Sequence, residues 1–308
     1  MNGSTTLRAP DHDWIHWDKH WWPAEPHTTD DELTRLLARD LKINPPGIRA
    51  RMHRPVQGVR HLKFNSDRRY PYPRLWFSND GEHTHWRDLH AVRLEDLILA
   101  HPTRDFSRRK GQKNKPIARW VETNDDLVTC ESQWEGFFVL LADWDQRVRR
   151  ISAQPFTLEF PRGALLHLHT PDFVLLTDDE VPIVIDIKTP EEALTESWRR
   201  RARIVAAELR RAGMLHLTFT GMPRSARESL SEFRSALPDD EEVERLREPL
   251  RDAASHGATA TELASMAAAQ TGIPYPEAMS VIRRLLWQHQ LHADLAVRFT
   301  EESLVWAP

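Results

Sequence analysis

The run DFVLLTDDEVPIVIDIK, residues 172–188, leaves this chain few ways to fold. Two apolar stretches of strand length flank the polar turn Asp178-Asp179-Glu180, the pattern of a hairpin in a core. Side chains alternate faces along a strand, so Asp186 and Lys188 point one way while Ile183, Ile185 and Ile187 fill the other side. Asp172 opens the neighbouring strand after Pro171, and an antiparallel return brings that end back towards Asp186 and Lys188. Two carboxylates and an ammonium are therefore expected at one rim.

That combination points to phosphodiester hydrolysis. Carboxylates held close repel each other, and a divalent cation between them removes the cost; oxygen-only ligands favour Mg2+, with Mn2+ able to substitute, over zinc. Such a cation polarises a phosphodiester oxygen and acidifies a bound water, while Lys188 orients that water or offsets charge building on phosphorus. The pattern alone is loose, because an Asp and a Lys two apart on a strand often form only a surface ion pair worth under about 1 kcal/mol. Context adds two candidates. The segment SQWEGFFVLLADWD reads as a helix with Trp134, Phe137, Phe138, Leu141 and Trp144 on one stripe, and Glu135 lies off that stripe, placed to lean over the same rim. Glu135 also fits the capping box Ser132-Gln133-Trp134-Glu135, in which its carboxylate returns to the cap's backbone amide. Gln154, polar at the end of an apolar strand, is the candidate supporting residue.

Around the hairpin the chain reads as an α/β unit. VRRISAQPFTLEF and LLHLHTP are strands, TESWRRRARIVAAELRRAG is a helix from Thr195 to Gly213, and MLHLTFTG is a further strand. Two basic patches flank the candidate site. RDFSRRKGQKNKPIAR sets seven cations, among them Arg108, Arg109, Lys110, Lys113, Lys115 and Arg119, against one acid; the helix carries Arg199, Arg200, Arg201, Arg203, Arg210 and Arg211 against two. Since the net charge of the 308-residue chain is −4, nucleic-acid binding has to come from such local patches. A solvated loop is the plain alternative for either run. One cysteine, Cys130, excludes an intramolecular disulfide and a Cys-rich zinc module. No apolar run is long enough to span a membrane, and the first residues lack the apolar core of a signal peptide, so a cytoplasmic protein is expected.

The flanks differ in character. Residues 1–103 form an irregular extension rich in Trp, His and Pro, with short elements such as amphipathic helices over TTDDELTRLLARDLKI and HWRDLHAVRLEDLILAH. His12, His16 and His20 have the spacing of ligands to one metal, while the tryptophans among them point to packing or partner binding. Residues 226–245 read as a charged linker or helix. Residues 246–308 read as helix, turn, helix and two-stranded wing, with Thr261 as a candidate cap and Pro276 starting the second helix; this is the order of a winged helix, suited to DNA or to a protein partner.

The run ES-x-x-E, then LLADWDQRVRRISAQPF, HTPDF and DIK, resembles the TnsA family, the endonuclease subunits of heteromeric transposases. The upstream RRKGQKNKPIARW is similar to a basic segment that precedes the catalytic helix in some members. The likeness is most specific over residues 104–190 and weaker to about 221. It implies a restriction-endonuclease-like mixed sheet flanked by helices over residues 104–225, with Glu135, Asp172 and Lys188 catalytic and a polar residue at the place of Asp186. It further implies Mg2+, double-stranded DNA at transposon ends, cuts at the 5′ ends, a separate transposase subunit and an ATPase regulator. A stand-alone restriction or defence nuclease, and a non-cleaving DNA-binding scaffold that kept the fold, are the competing expectations.

Overall fold

The structure is a computed structural model that describes residues 70–81, 83–98, 100–103, 116–178 and 181–308. The Trp- and His-rich start with His12, His16 and His20, the helix expected over residues 28–43, and Arg108, Arg109, Lys110, Lys113 and Lys115 lie outside the described residues. The chain divides between Gly221 and Met222 into two units, each a mixture of helices and strands.

The first unit begins with β1 (Arg74–Phe77), β2 (His85–Asp88) and α1 (Leu94–Ile98). The single helix expected over HWRDLHAVRLEDLILAH is thus divided, its first four residues pairing with β1 in register Trp76↔Trp86. Cross-strand packing explains the difference: the Arg74 guanidinium sits 3.9 Å from the Trp86 ring centroid and 4.1 Å from that of Tyr70, contacts a helix would not provide. Next come the hairpin β3 (Ile117–Val121) and β4 (Asp126–Cys130), α2 (Gln133–Trp144), β5 (Val148–Ala153), β6 (Phe156–Glu159), β7 (Leu168–His169), β8 (Phe173–Thr177) and β9 (Pro182–Ile187). The unit closes with α3 (Pro190–Leu194), α4 (Glu196–Arg211) and β10 (Leu215–Phe219).

VRRISAQPFTLEF does not run on as one strand. Gln154 takes a left-handed φ of 44° and Pro155 has no amide to donate, so β5 and β6 leave for different sheets. One sheet has the order β2-β1-β6-β7 and is antiparallel throughout. The other has the order β10-β9-β8-β5; β8 and β9 form the expected antiparallel hairpin, while β10 lies parallel to β9 and is reached through α3 and α4. Strands β8 and β9 are buried at every position because both faces are covered. Phe138 of α2 packs on Phe173 and Phe219 with ring centroids 5.3 Å apart in both cases. The opposite face puts Val174 and Val184 into a core with Leu75, Phe77, Phe156 and Leu158 of the first sheet and Val205 and Leu209 of α4.

The buried face of α2 differs from its expected stripe: Phe138, Leu141 and Trp144 are buried as expected, Trp134 and Phe137 only half-buried, and Val139, Leu140 and Ala142 are covered as well. Backbone closeness on a second side is the reason: a Cβ added to Gly136 would lie 2.7 Å from Arg119 Nε and 2.8 Å from Ile117 Cδ1 of the β3 strand. At its start Trp134 covers Gly221, whose φ of 118° only glycine adopts readily.

The second unit contains α5 (Arg224–Ser235), α6 (Asp240–Ala253), β11 (Ala258–Thr259), α7 (Ala260–Thr271), α8 (Tyr275–Trp287), β12 (His292–Ala293) and β13 (Leu304–Trp306). Residues 226–245 therefore fall largely within two helices, which bury Leu230, Phe233, Val243 and Leu246. Thr259, two residues before the candidate Thr261, caps α7 in a reciprocal box with Glu262. Thr261 instead donates to the Glu301 carbonyl at 3.0 Å. Pro276 lies in the first turn of α8 as expected. The wing strands β12 and β13 pair, and β11 adds a third strand to give the order β11-β13-β12.

Candidate functional site

Asp172 is held between two strand ends. Its amide donates to the Ile185 carbonyl at 3.0 Å, and its carbonyl accepts the Gln154 amide at 2.9 Å. Pro171 before it has no amide, and Phe173 after it anchors β8 in the core, so the Asp172 side chain emerges at the rim. Its Oδ2 accepts the Ile187 amide at 2.6 Å and lies 3.8 Å from Lys188 Nζ. Lys188 is itself fixed: its amide donates to the Phe219 carbonyl at 3.0 Å, its Nζ donates to the Ile187 carbonyl at 2.7 Å, and the ammonium stands 4.7 Å from the Trp198 ring centroid.

Glu135 reaches this rim from the first turn of α2. Ser132 caps the helix by accepting the Glu135 amide at 3.2 Å. The Glu135 carboxylate accepts the Glu131 amide at 2.6 Å and the Ser132 hydroxyl at 3.1 Å. The expected reciprocal box is therefore altered: the backbone amide that the carboxylate accepts is that of Glu131, one residue before the cap, and not the cap's own. Burial, and next the charge of Asp172, push the Glu135 carboxyl up to about 8, against the smaller lowering effect of the Glu131 amide. Near neutrality the Glu135 carboxyl therefore keeps its proton. Arg119 borders the same helix start over Gly136, and the buried Cys130 thiol is pushed up first by burial and then by Glu135, with Arg119 opposing.

Gln154 lies beside Asp172, joined to it by the hydrogen bond from its amide. It is 1% exposed, and neither its Oε1 nor its Nε2 has a hydrogen-bond partner among the described residues. A left-handed φ and an orphaned buried amide at one residue are both costly, a combination that concentrates where geometry serves a site.

Asp186 has a different set of partners from those the alternation suggested. It is 2% exposed, and its Oδ2 lies 2.7 Å from His216 Nε2 and 3.0 Å from His169 Nε2, both histidines being buried as well. Burial raises its pKa, but the two adjacent histidines together outweigh it and hold the carboxyl below the usual carboxylate range. Thus Asp172 and Lys188 are brought together at the rim, Glu135 lies close enough for the charge of Asp172 to act on it, and Asp186 is engaged behind them with the histidines. Sequence reasoning passed over His169 and His216; the available signal was an imidazole inside each of two apolar strands, LLHLHTP and MLHLTF, where an unpaired polar group is expensive.

Of the proposed DNA-contacting residues that are described, Arg119 lies on β3, and Arg199, Arg200 and Arg203 are exposed on α4. Arg203, Arg210 and Arg211 line a surface pocket with Ala206 and Ala207. Arg201 is used structurally, donating to the Leu168 carbonyl at 3.2 Å. No helix among the described residues is long and apolar enough to cross a membrane. No protein-family model matches the chain, and no curated protein matches its sequence.

Proposed function

We propose that this chain is a Mg2+-dependent DNA endonuclease, the subunit of a heteromeric transposase that cuts the 5′ ends of a transposable element. The observation that carries the reading is the convergence of Glu135, Asp172 and Lys188 from a helix and two strand ends onto one rim. The residues fit a hard divalent cation: Glu135 and Asp172 offer only oxygen donors, and their mutual repulsion is the kind that a cation relieves. Glu135 and Asp172 would hold the ion, which when bound supplies the charge that acidifies water and offsets negative charge on phosphorus. The Ile187 amide and Lys188 hold the Asp172 carboxylate in one orientation. Lys188, its ammonium held by the Ile187 carbonyl beside the Trp198 ring and Asp172, would offset negative charge on a phosphate oxygen bound at this rim. Arg119 on one side and the exposed arginines of α4 on the other supply positive charge for a DNA backbone.

The mixed sheet with α2 on one face supports a restriction-endonuclease-like core. The order α6, β11, α7, α8, β12, β13 supports a winged helix. The transposase partner, the ATPase regulator and the choice of transposon ends rest on the resemblance to the TnsA family. One observation favours a non-cleaving DNA-binding subunit instead: the Glu135 carboxylate already serves the backbone at the start of its own helix.

Strand-specific cleavage of an end substrate with Mg2+ or Mn2+, with and without the protein encoded next door, separates the two. Cation-dependent 5′-strand cuts that disappear in Asp172→Ala and Lys188→Ala establish the nuclease. Cuts at a recognition sequence without any neighbour favour a stand-alone enzyme. DNA binding without cutting under every condition favours the scaffold.

A further inference from the structure

We propose that His169, Asp186 and His216 form a second, buried site for a divalent transition-metal ion of the zinc class, separate from the rim carboxylates. Three strands supply the ligands: β7 from one sheet, β9 and β10 from the other. One potential ligand atom from each residue lies within 4.8 Å of the others. Bonds of about 2.0 to 2.2 Å to one ion set neighbouring ligands roughly 3 to 3.5 Å apart. The observed 2.7 Å and 3.0 Å from Asp186 Oδ2 to the two Nε2 atoms need widening by only a few tenths of an ångström to admit one.

A carboxylate paired with two imidazoles by protons alone is the competing explanation, and one of the two contacts argues against it. His169 Nε2 is 3.0 Å from Asp186 Oδ2, yet it has no hydrogen bond there or elsewhere among the described residues, and the residue is 4% exposed. A nitrogen buried this deeply without a directed bond is expensive to keep. A metal-directed lone pair explains both its approach and its misalignment. Two imidazoles and one carboxylate suit zinc, cobalt or iron(II) far better than magnesium. The surroundings are apolar, with Val184 two residues before Asp186 in its own strand and Leu158 opposite His169 in register.

The position gives the ion a task. His169 is followed three residues later by Asp172, and Asp186 two residues later by Lys188. An ion joining these strands fixes the spacing from which both rim residues project, acting as a positioning element without touching substrate.

The test is metal analysis of the full chain bearing an affinity tag without histidine. After incubation with zinc and removal of excess, the parent protein is expected to retain about one zinc more per chain than His169→Gln or His216→Gln. Glu135→Gln and a variant with His12, His16 and His20 replaced retain as much as the parent. Cobalt in place of zinc gives a visible absorption band that the two histidine variants lack. Should those variants fail to fold, the parent alone decides: chelation should lower its melting temperature and added zinc restore it. The proposal is overturned if the parent neither gains a cobalt band nor responds to zinc, or if the histidine variants bind as the parent does. Because Glu135 lies outside this site, loss of cleavage in Glu135→Gln with zinc retained, and loss of zinc with cleavage retained, are distinguishable results.

Discussion

Replacing Glu135 by Gln should make the protein more stable, and increasingly so as pH rises. In the folded chain the Glu135 carboxyl is raised from an ordinary 4.5 to about 8, chiefly by burial and then by Asp172. A group bound more tightly to its proton when folded contributes stability that is fully present below the unfolded pKa and is lost as pH climbs to the folded one. At about 1.4 kcal/mol per pH unit, the interval from 4.5 to about 8 corresponds to a loss of up to about 5 kcal/mol once the carboxylate is ionised. Gln keeps an oxygen for the Glu131 amide and never ionises, so it escapes that loss. Urea unfolding with a chelator present, compared between wild type and Glu135→Gln, is the assay. The stability difference in favour of the variant should grow by about 3 kcal/mol between about pH 5.5 and about pH 8.5. Adding Mg2+ at the higher pH should recover part of the difference for wild type and leave the variant unchanged. Parallel pH profiles in the two proteins would refute both the burial argument and the inference that this pair of carboxylates wants a cation.

Two structural predictions complete the set. Gly221→Ala should cost at least about 2 kcal/mol and lower the melting temperature, because its Cβ would fall 2.3 Å from the Trp134 ring at a φ of 118°; an unchanged melt would mean that α2 does not start against this turn. Thr259→Ala should destabilise the second unit by about 1 kcal/mol, read by thermal unfolding, since it removes the cap of α7. Thr261→Ala should cost less, and the reverse order would reinstate Thr261 as the cap.

Much of the architecture around the site was legible because short-range physics determined it. The β8–β9 hairpin was visible as two apolar runs about a polar turn, and α4 as a helix opened by Thr195, which does accept the Trp198 amide. Where neighbours in space decided the outcome, the sequence was silent. The strand β2 reads locally as helix and becomes strand because Arg74, Tyr70 and Trp86 stack across β1. The hairpin of β3 and β4 had no strong periodicity to announce it, and its presence is what buries the second side of α2.

The candidate site divides along the same line. Strand alternation correctly placed Asp186 opposite Ile185 and Ile187, but alternation gives a direction only; what occupies that side depends on the level along the strand. At Asp186 the neighbouring β10 still runs alongside, paired through Thr218, and His216 on β10 and His169 from the other sheet close over the carboxylate. Two residues later β9 has ended, so the Lys188 side chain is free to turn towards Asp172 and Trp198. A spacing of two residues thus crosses from a closed polar cluster to an open rim. The Asp-x-Lys pattern by itself cannot distinguish two groups that share a site from two that stand on either side of its wall, whereas the histidines in the flanking strands mark where that wall lies.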